Sequence, residues 1–272
     1  MYDNTCKFLA ENFPEDFASW LLGKSIPLTK LETSELSAEP IRADSVIFLE
    51  SSEIVVHLEF QTKTDDTMAY RMANYWLRLY GKYPNKEIHQ TVIYLKPTKS
   101  PLAYQTSFKS NQLNHEFNVV RLWEQPTDIF RQYLGLLPLA VLTQTSNPEE
   151  TLRDVARQID HIADKQVQSN VAASTAIISG IALDKEIIQR LLRSEIMKES
   201  VIYQDILLEG EAKGKAETAR QIALNMLLSN VSTDLVAQFT GLTLKQVQQL
   251  QKLSTKQPKM PKSSKIKRSQ KS

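Results

Sequence analysis

Asp44 and, fifteen positions later, Glu59 with Gln61 and Lys63 behind it are residues whose types and spacing could do hydrolytic chemistry. They lie in IRADSVIFLESSEIVVHLEFQTK, residues 41–63, which reads as two strands joined by a tight turn. A turn centred between Ser51 and Ser52 would set Asp44 directly opposite Glu59, Val46 opposite His57 and Phe48 opposite Val55. One face of this hairpin then carries Ile47, Leu49, Ile54, Val56, Leu58 and Phe60; the other carries Phe48, Val55 and His57, ending in Asp44, Glu59, Gln61 and Lys63. Opposed carboxylates repel and raise each other's affinity for protons, and a divalent cation between them removes the conflict. Carboxylate oxygens suit Mg²⁺ or Mn²⁺, which complete their coordination with water and a phosphate. The chemistry expected is metal-assisted phosphodiester hydrolysis, with Gln61 placing water or phosphate and Lys63 adding a charge. The alternative is that Asp44 and Glu59 sit at the rim, solvated or paired with Arg42. His57 reads as a packed core histidine rather than a ligand.

These residues need elements to hold them. Residues 3–22 show a helical apolar stripe, interrupted at Pro14 and closed by Gly23. After the hairpin, DTMAYRMANYWLRLYGKYP has Met68, Met72, Tyr75, Trp76 and Leu79 at helical spacing. On this helix Arg71 and Tyr75 share a face, and an arginine there suits DNA phosphate, a solvated or salt-bridged role being the alternative. Strands are expected at 89–97 and 115–124, and a helix interrupted by Pro138 over IFRQYLGLLPLAVLT. The order predicts an α/β unit over residues 1–145, a helical extension over 146–253 and a basic tail over 254–272.

Composition narrows the classes. The chain has 272 residues, 42% hydrophobic and 24% charged, with a formal net charge of +2. Residues 254–272 hold seven Lys or Arg and no acid, which leaves 26 basic against 31 acidic residues elsewhere. The tail has too few large apolar residues to fold, and it either steers the protein towards nucleic acid or merely solubilises it. No apolar run approaches the roughly 20 residues of a membrane span. The N-terminus lacks the pattern of a signal peptide. Cys6 is the only cysteine, which excludes an intrachain disulfide and a cysteine-based zinc cluster. A cytoplasmic setting is expected. Neither a nucleophile elbow nor a phosphate-binding or dinucleotide-binding glycine loop is present, so serine-hydrolase and nucleotide-dependent readings have no support.

The order Asp44, then Glu59-Phe60-Gln61, on consecutive strands between an N-terminal helix and an Arg/Tyr-rich one, resembles the PD-(D/E)XK nuclease superfamily. RADSVIFL…VVHLEFQTK, YRMANYWLRLY, LGLLPLAVL and ESVIYQDILLEGEAKGK are similar to segments of its bacterial, notably cyanobacterial, recombination-promoting nuclease and transposase family. The resemblance implies a restriction-endonuclease-like core, a mixed central sheet flanked by helices, with an all-α C-terminal extension. It implies Mg²⁺-dependent DNA cleavage linked to recombination or mobile elements. Asp44 and Glu59 fall on the metal-binding acids, Gln61 on the position usually held by lysine, and Glu11 where some members place a further acidic ligand. Ala43 stands in place of the proline of the motif. Loss of the lysine cation at Gln61 also admits a catalytically inactive DNA- or protein-binding module.

At the helical end, Ala237, Gly241 and Val247 match the small–glycine–apolar pattern of a helix-turn-helix. Lys245, Gln246, Gln249 and Lys252 on its second helix are types that contact phosphates and bases. The alternative is a helical hairpin that caps the domain or builds an oligomer such as a homodimer. The expected partner is therefore DNA, with no membrane.

Overall fold

Pro14 divides the N-terminal helical stretch, because a proline is tolerated only in the first turn of a helix. Helix α1 (Tyr2–Asn12) ends before it, and α2 (Pro14–Leu22) starts on it and closes at Gly23, whose φ of 69° is left-handed. This computed structural model describes residues 2–31, 46–229 and 231–254; Asp44 and residues 255–272 lie outside them.

The sheet follows from alternating apolar residues. Strand β1 (Thr29–Lys30) pairs with β2 (Val46–Glu50), which forms a hairpin with β3 (Ile54–Gln61). Helix α3 (Met68–Lys82) then crosses to β4 (Glu87–Tyr94), parallel to β3. A side ribbon of β5 (Ser107–Lys109) and β6 (Asn114–Glu116) precedes β7 (Asn118–Arg121), parallel to β4. The main sheet has the order β1-β2-β3-β4-β7. It is mixed, with antiparallel pairs on one side of β3 and parallel pairs on the other.

The hairpin register differs from the sequence expectation by two residues. Val46, not Asp44, stands opposite Glu59, and Phe48 stands opposite His57. The turn is centred one residue later, with the Ser51 N–H donating to the Ile54 carbonyl at 3.0 Å. Since the slip is even, the residues from Ile47 to Glu50 and from Ile54 to Gln61 keep their expected faces. Ile47, Leu49, Ile54, Val56, Leu58 and Phe60 pack with α1 and α2 in the larger core; Phe48 and Val55 face Tyr75 and Leu79 of α3.

Two segments depart further. The 115–124 stretch does not form one strand: it divides into β6, β7 and a 3-10 turn, Leu122–Glu124. The expected proline-interrupted helix is a single turn, α4 (Thr127–Phe130), then a 3-10 turn over Leu137–Leu142 that is buried throughout. Continuous burial replaces the one-sided periodicity on which a helix assignment depends.

Helices α5 (Pro148–Asp160), α6 (Lys165–Ser179), α7 (Lys185–Leu191) and α8 (Ser194–Met197) contribute Leu152, Val155, Val171, Ile188 and Met197 to the same core as Leu9 and Leu58. The first compact unit accordingly runs over Met1–Ile206, beyond the boundary at 145 expected from the change in periodicity. The second unit, Leu207–Ser272, takes most of α9 (Val201–Leu228) with α10 (Thr233–Thr240) and α11 (Leu244–Ser254). Its small core joins Ala223, Leu227, Val236 and Val247. No described helix is long and apolar enough to cross a membrane.

Gly135 is held where α2 begins. Its N–H donates to Asp16 Oδ2 at 2.8 Å, and a Cβ there would overlap the Phe13 side chain and lie 3.0 Å from that oxygen. Gly135→Ala is expected to cost about 1–3 kcal/mol through forced displacement of packed atoms. Urea denaturation should show this as a lower midpoint at unchanged slope.

Candidate functional site

Glu59 is the third residue from the end of β3, and parity directs it to the α3 face of the sheet among apolar neighbours. Its side chain is fully buried. An ionised carboxylate in such a place requires a cation and hydrogen bonds. Arg71 supplies them: its Nη2 lies 2.8 Å from both Oε1 and Oε2. Gln61, two residues along the same strand, donates from Nε2 to Oε2 at 3.2 Å.

The approach to α3 fixes the arginine. Asp65 Oδ1 accepts from both the N–H and the hydroxyl of Thr67, at 2.8 and 2.7 Å, in a turn that starts the helix. Asp65 Oδ2 meanwhile accepts from Arg71 Nη1 at 3.3 Å. Those two bonds to Thr67, more than Arg71, hold the Asp65 carboxyl below its usual range. Burial pulls the Arg71 guanidinium down, but Glu59, Tyr75 and Asp65 together hold it above its ordinary value. Burial raises the Tyr75 phenol, and the Glu59 charge raises it further.

Beneath the helix runs a second polar chain. His57, fully buried, neighbours Gln90 across the parallel β3–β4 pair. Gln90 Nε2 lies 2.8 Å from His57 Nδ1 and donates to the Met72 carbonyl at 2.9 Å, while His115 Nε2 lies 2.6 Å from Gln90 Oε1. The amide orientation makes His57 Nδ1 an acceptor and His115 Nε2 a donor. The His57 proton then sits on Nε2, 3.8 Å from Glu59 Oε1. Burial lowers the pKa of both histidines, and their proximity lowers that of His115 further.

The structure thus brings Glu59, Gln61 and Arg71 together. His57 is the buried core histidine its position suggested. Lys63 is exposed and lies beyond the end of β3, so the alternation that placed it on the Glu59 face stops short of it. Glu11 pairs with Lys30 at 3.2 Å, on a helix that packs against the opposite sheet face. Lys245, Gln246, Gln249 and Lys252 lie on α11 in the second unit. Sequence reasoning missed Asp65, Gln90 and His115. Gln90 had a readable signal: it is the one polar residue on the strand face that Ile88, Val92 and Tyr94 share by alternation.

Among the described residues, no group of three or more His, Cys, Asp or Glu is placed to hold a metal. The Glu59 carboxylate and the Gln61 amide carbonyl are nevertheless hard oxygen donors, the type that Mg²⁺ accepts. In donor chemistry they fit such an ion, but both Glu59 oxygens already face Arg71. No protein-family model matches the chain, and no match was found among curated proteins or solved structures.

Two outcomes follow. Arg71→Met should destabilise the fold by about 3 kcal/mol in denaturant titrations, because it removes a cation facing a buried carboxylate; adding Glu59→Met should restore much of the loss. The histidines' folded pKa values lie below their unfolded ones, so their contribution is complete above about pH 6.5 and is lost as pH falls through the lowered folded values. The melting temperature should drop between about pH 7.5 and about pH 5, and less steeply in His115→Gln.

Proposed function

We propose that the chain is a Mg²⁺-dependent DNA endonuclease with a PD-(D/E)XK-type core, acting in DNA recombination or on mobile elements. The observation that carries this reading is the buried Glu59 carboxylate beside Gln61 at the carboxyl end of β3. A buried ion pair contributes little stability that apolar residues of similar volume would not, so its retention in a sheet core points to use rather than to folding. The carboxyl ends of parallel strands are also where open α/β sheets place their ligands. A mixed sheet flanked by helices, with Glu59 on the second strand of a hairpin between α2 and α3, supports the reading as a generic α/β frame.

Asp44 and Glu59 are the proposed metal-holding acids. A bound Mg²⁺ or Mn²⁺ would neutralise phosphate charge and acidify a water. Gln61 contributes hydrogen bonds only, to orient water or a phosphate oxygen. Arg71 is proposed to change partners, leaving Glu59 for a phosphate oxygen of DNA, a ligand matched to the guanidinium fork.

The bidentate hold of Arg71 on Glu59 favours a second reading, a catalytically inactive DNA- or protein-binding module in which the ion pair is permanent. Supercoiled plasmid with Mg²⁺ or Mn²⁺ separates the two. Nicking by the wild type that Asp44→Ala, Glu59→Ala and chelator each abolish is the expected result. No nicking with either ion, from folded protein, would leave the binding module.

A further inference from the structure

The second unit contains a helix-turn-helix packing that the proposed chemistry does not use. Helix α10 ends at Gly241, whose φ of 71° is left-handed and whose N–H donates to the Ala237 carbonyl at 3.0 Å. Three residues later α11 begins with a reciprocal cap. Gln246 Oε1 accepts from the N–H and hydroxyl of Thr243, both at 2.9 Å, and Thr243 Oγ1 accepts from the Gln246 N–H at 3.3 Å. Gln246 therefore has a structural role in fixing the start of α11. Val236 and Val247 are fully buried between the two helices, with Ala237, Leu242 and Leu250 packed around them.

This packing determines what α11 presents. With Val247 and Leu250 turned inward, the opposite face carries Lys245, Gln248, Gln249 and Lys252 at i, i+3, i+4 and i+7, all exposed. None of these is an acid. From Leu235 to Ser272 the chain has nine Lys or Arg and no Asp or Glu. A stripe of lysines alternating with glutamines, on a helix held by a glycine turn and a cap, matches a duplex in charge and in hydrogen-bonding type. Lysines meet phosphates, and a glutamine amide can bond an adenine edge in the major groove.

We infer that α11 is a major-groove recognition helix: Lys245 and Lys252 contact phosphates of duplex DNA, and Gln248 and Gln249 face base edges. The inference shares its partner, duplex DNA, with the proposed endonuclease, but not its site. It is tested under chelation, where binding is read without cleavage.

Fluorescence anisotropy with a labelled random-sequence duplex and the full chain is the experiment. Lys245→Glu/Lys252→Glu should weaken binding by at least about tenfold and flatten the dependence on salt by roughly one to two counterions. Lys215→Glu, on α9 of the same unit, should leave affinity within about twofold. Circular dichroism melts verify that each variant is folded. Gln249→Ala should relax sequence preference in a selection from a duplex library, which binding by a charged tail alone would not do. Unchanged affinity in the double variant would overturn the inference and assign binding to residues 255–272. It would also be overturned if no duplex bound and sedimentation showed a dimer broken by Phe239→Ser, since the exposed Leu235 and Phe239 of α10 would then mark a contact between copies. Duplex binding by the wild type without nicking in Mg²⁺ or Mn²⁺ would count against the endonuclease reading alone.

Discussion

The first unit is organised around one electrostatic demand, a carboxylate with no exposure to water near the carboxyl end of the sheet's central strand. Arg71 meets that demand from the crossing helix, with its Nη2 2.8 Å from each Glu59 oxygen. The requirement extends outward. Arg71 must leave α3 at the right height, which the Asp65–Thr67 turn sets by fixing where the helix begins. The helix must also not slide along the sheet, and the Gln90 side chain prevents this by bonding the Met72 carbonyl in mid-helix. A charge pair and a neutral amide–imidazole chain therefore share the interface between α3 and β3–β4, while aliphatic side chains fill the opposite face.

This asymmetry explains how the two faces tolerate change. The larger core spreads its packing over many aliphatic side chains from α1 to α8, and volume-conserving swaps there are individually cheap. The α3 face has two small clusters, Phe48–Val55–Tyr75–Leu79 and Met68–Met72–Val92–Tyr94, on either side of the polar groups. Its specificity comes from directional bonds, and buried networks of that type lose more than a proportional share when one member is removed.

Much of the fold was legible because the signals were local. Alternation over 46–61 assigned both hairpin faces correctly, the 3.6-residue spacing of Met68, Met72 and Leu79 marked α3, and Pro14 marked the break between α1 and α2. The exact pairing was not legible. A two-residue slip conserves every face assignment, so patterning could not distinguish a partner of Asp44 from a partner of Val46. The unit boundary was hidden for a different reason: α5 and α6 read as a separate helical region by periodicity, yet their apolar faces complete the sheet's core. Of the candidate site, Glu59 and Gln61 could be identified from strand parity and Arg71 from helix spacing. Their mutual geometry depends on a β3–α3 approach that no local pattern encodes.

The larger core joins the chain's beginning to segments synthesised much later. Leu9 on α1 shares it with Val171 on α6, and Leu58 shares it with Leu152 on α5. On the ribosome, the apolar face of the hairpin finds α1 and α2 already made, but it emerges well before the α5 and α6 residues that complete the same core. Roughly 80 residues separate β4 from the end of α6, and at elongation rates of about 5–20 residues per second the core waits on the order of ten seconds for its later helices. Nascent-chain folding of this unit is consequently a late completion of a core whose first two helices and hairpin are made first.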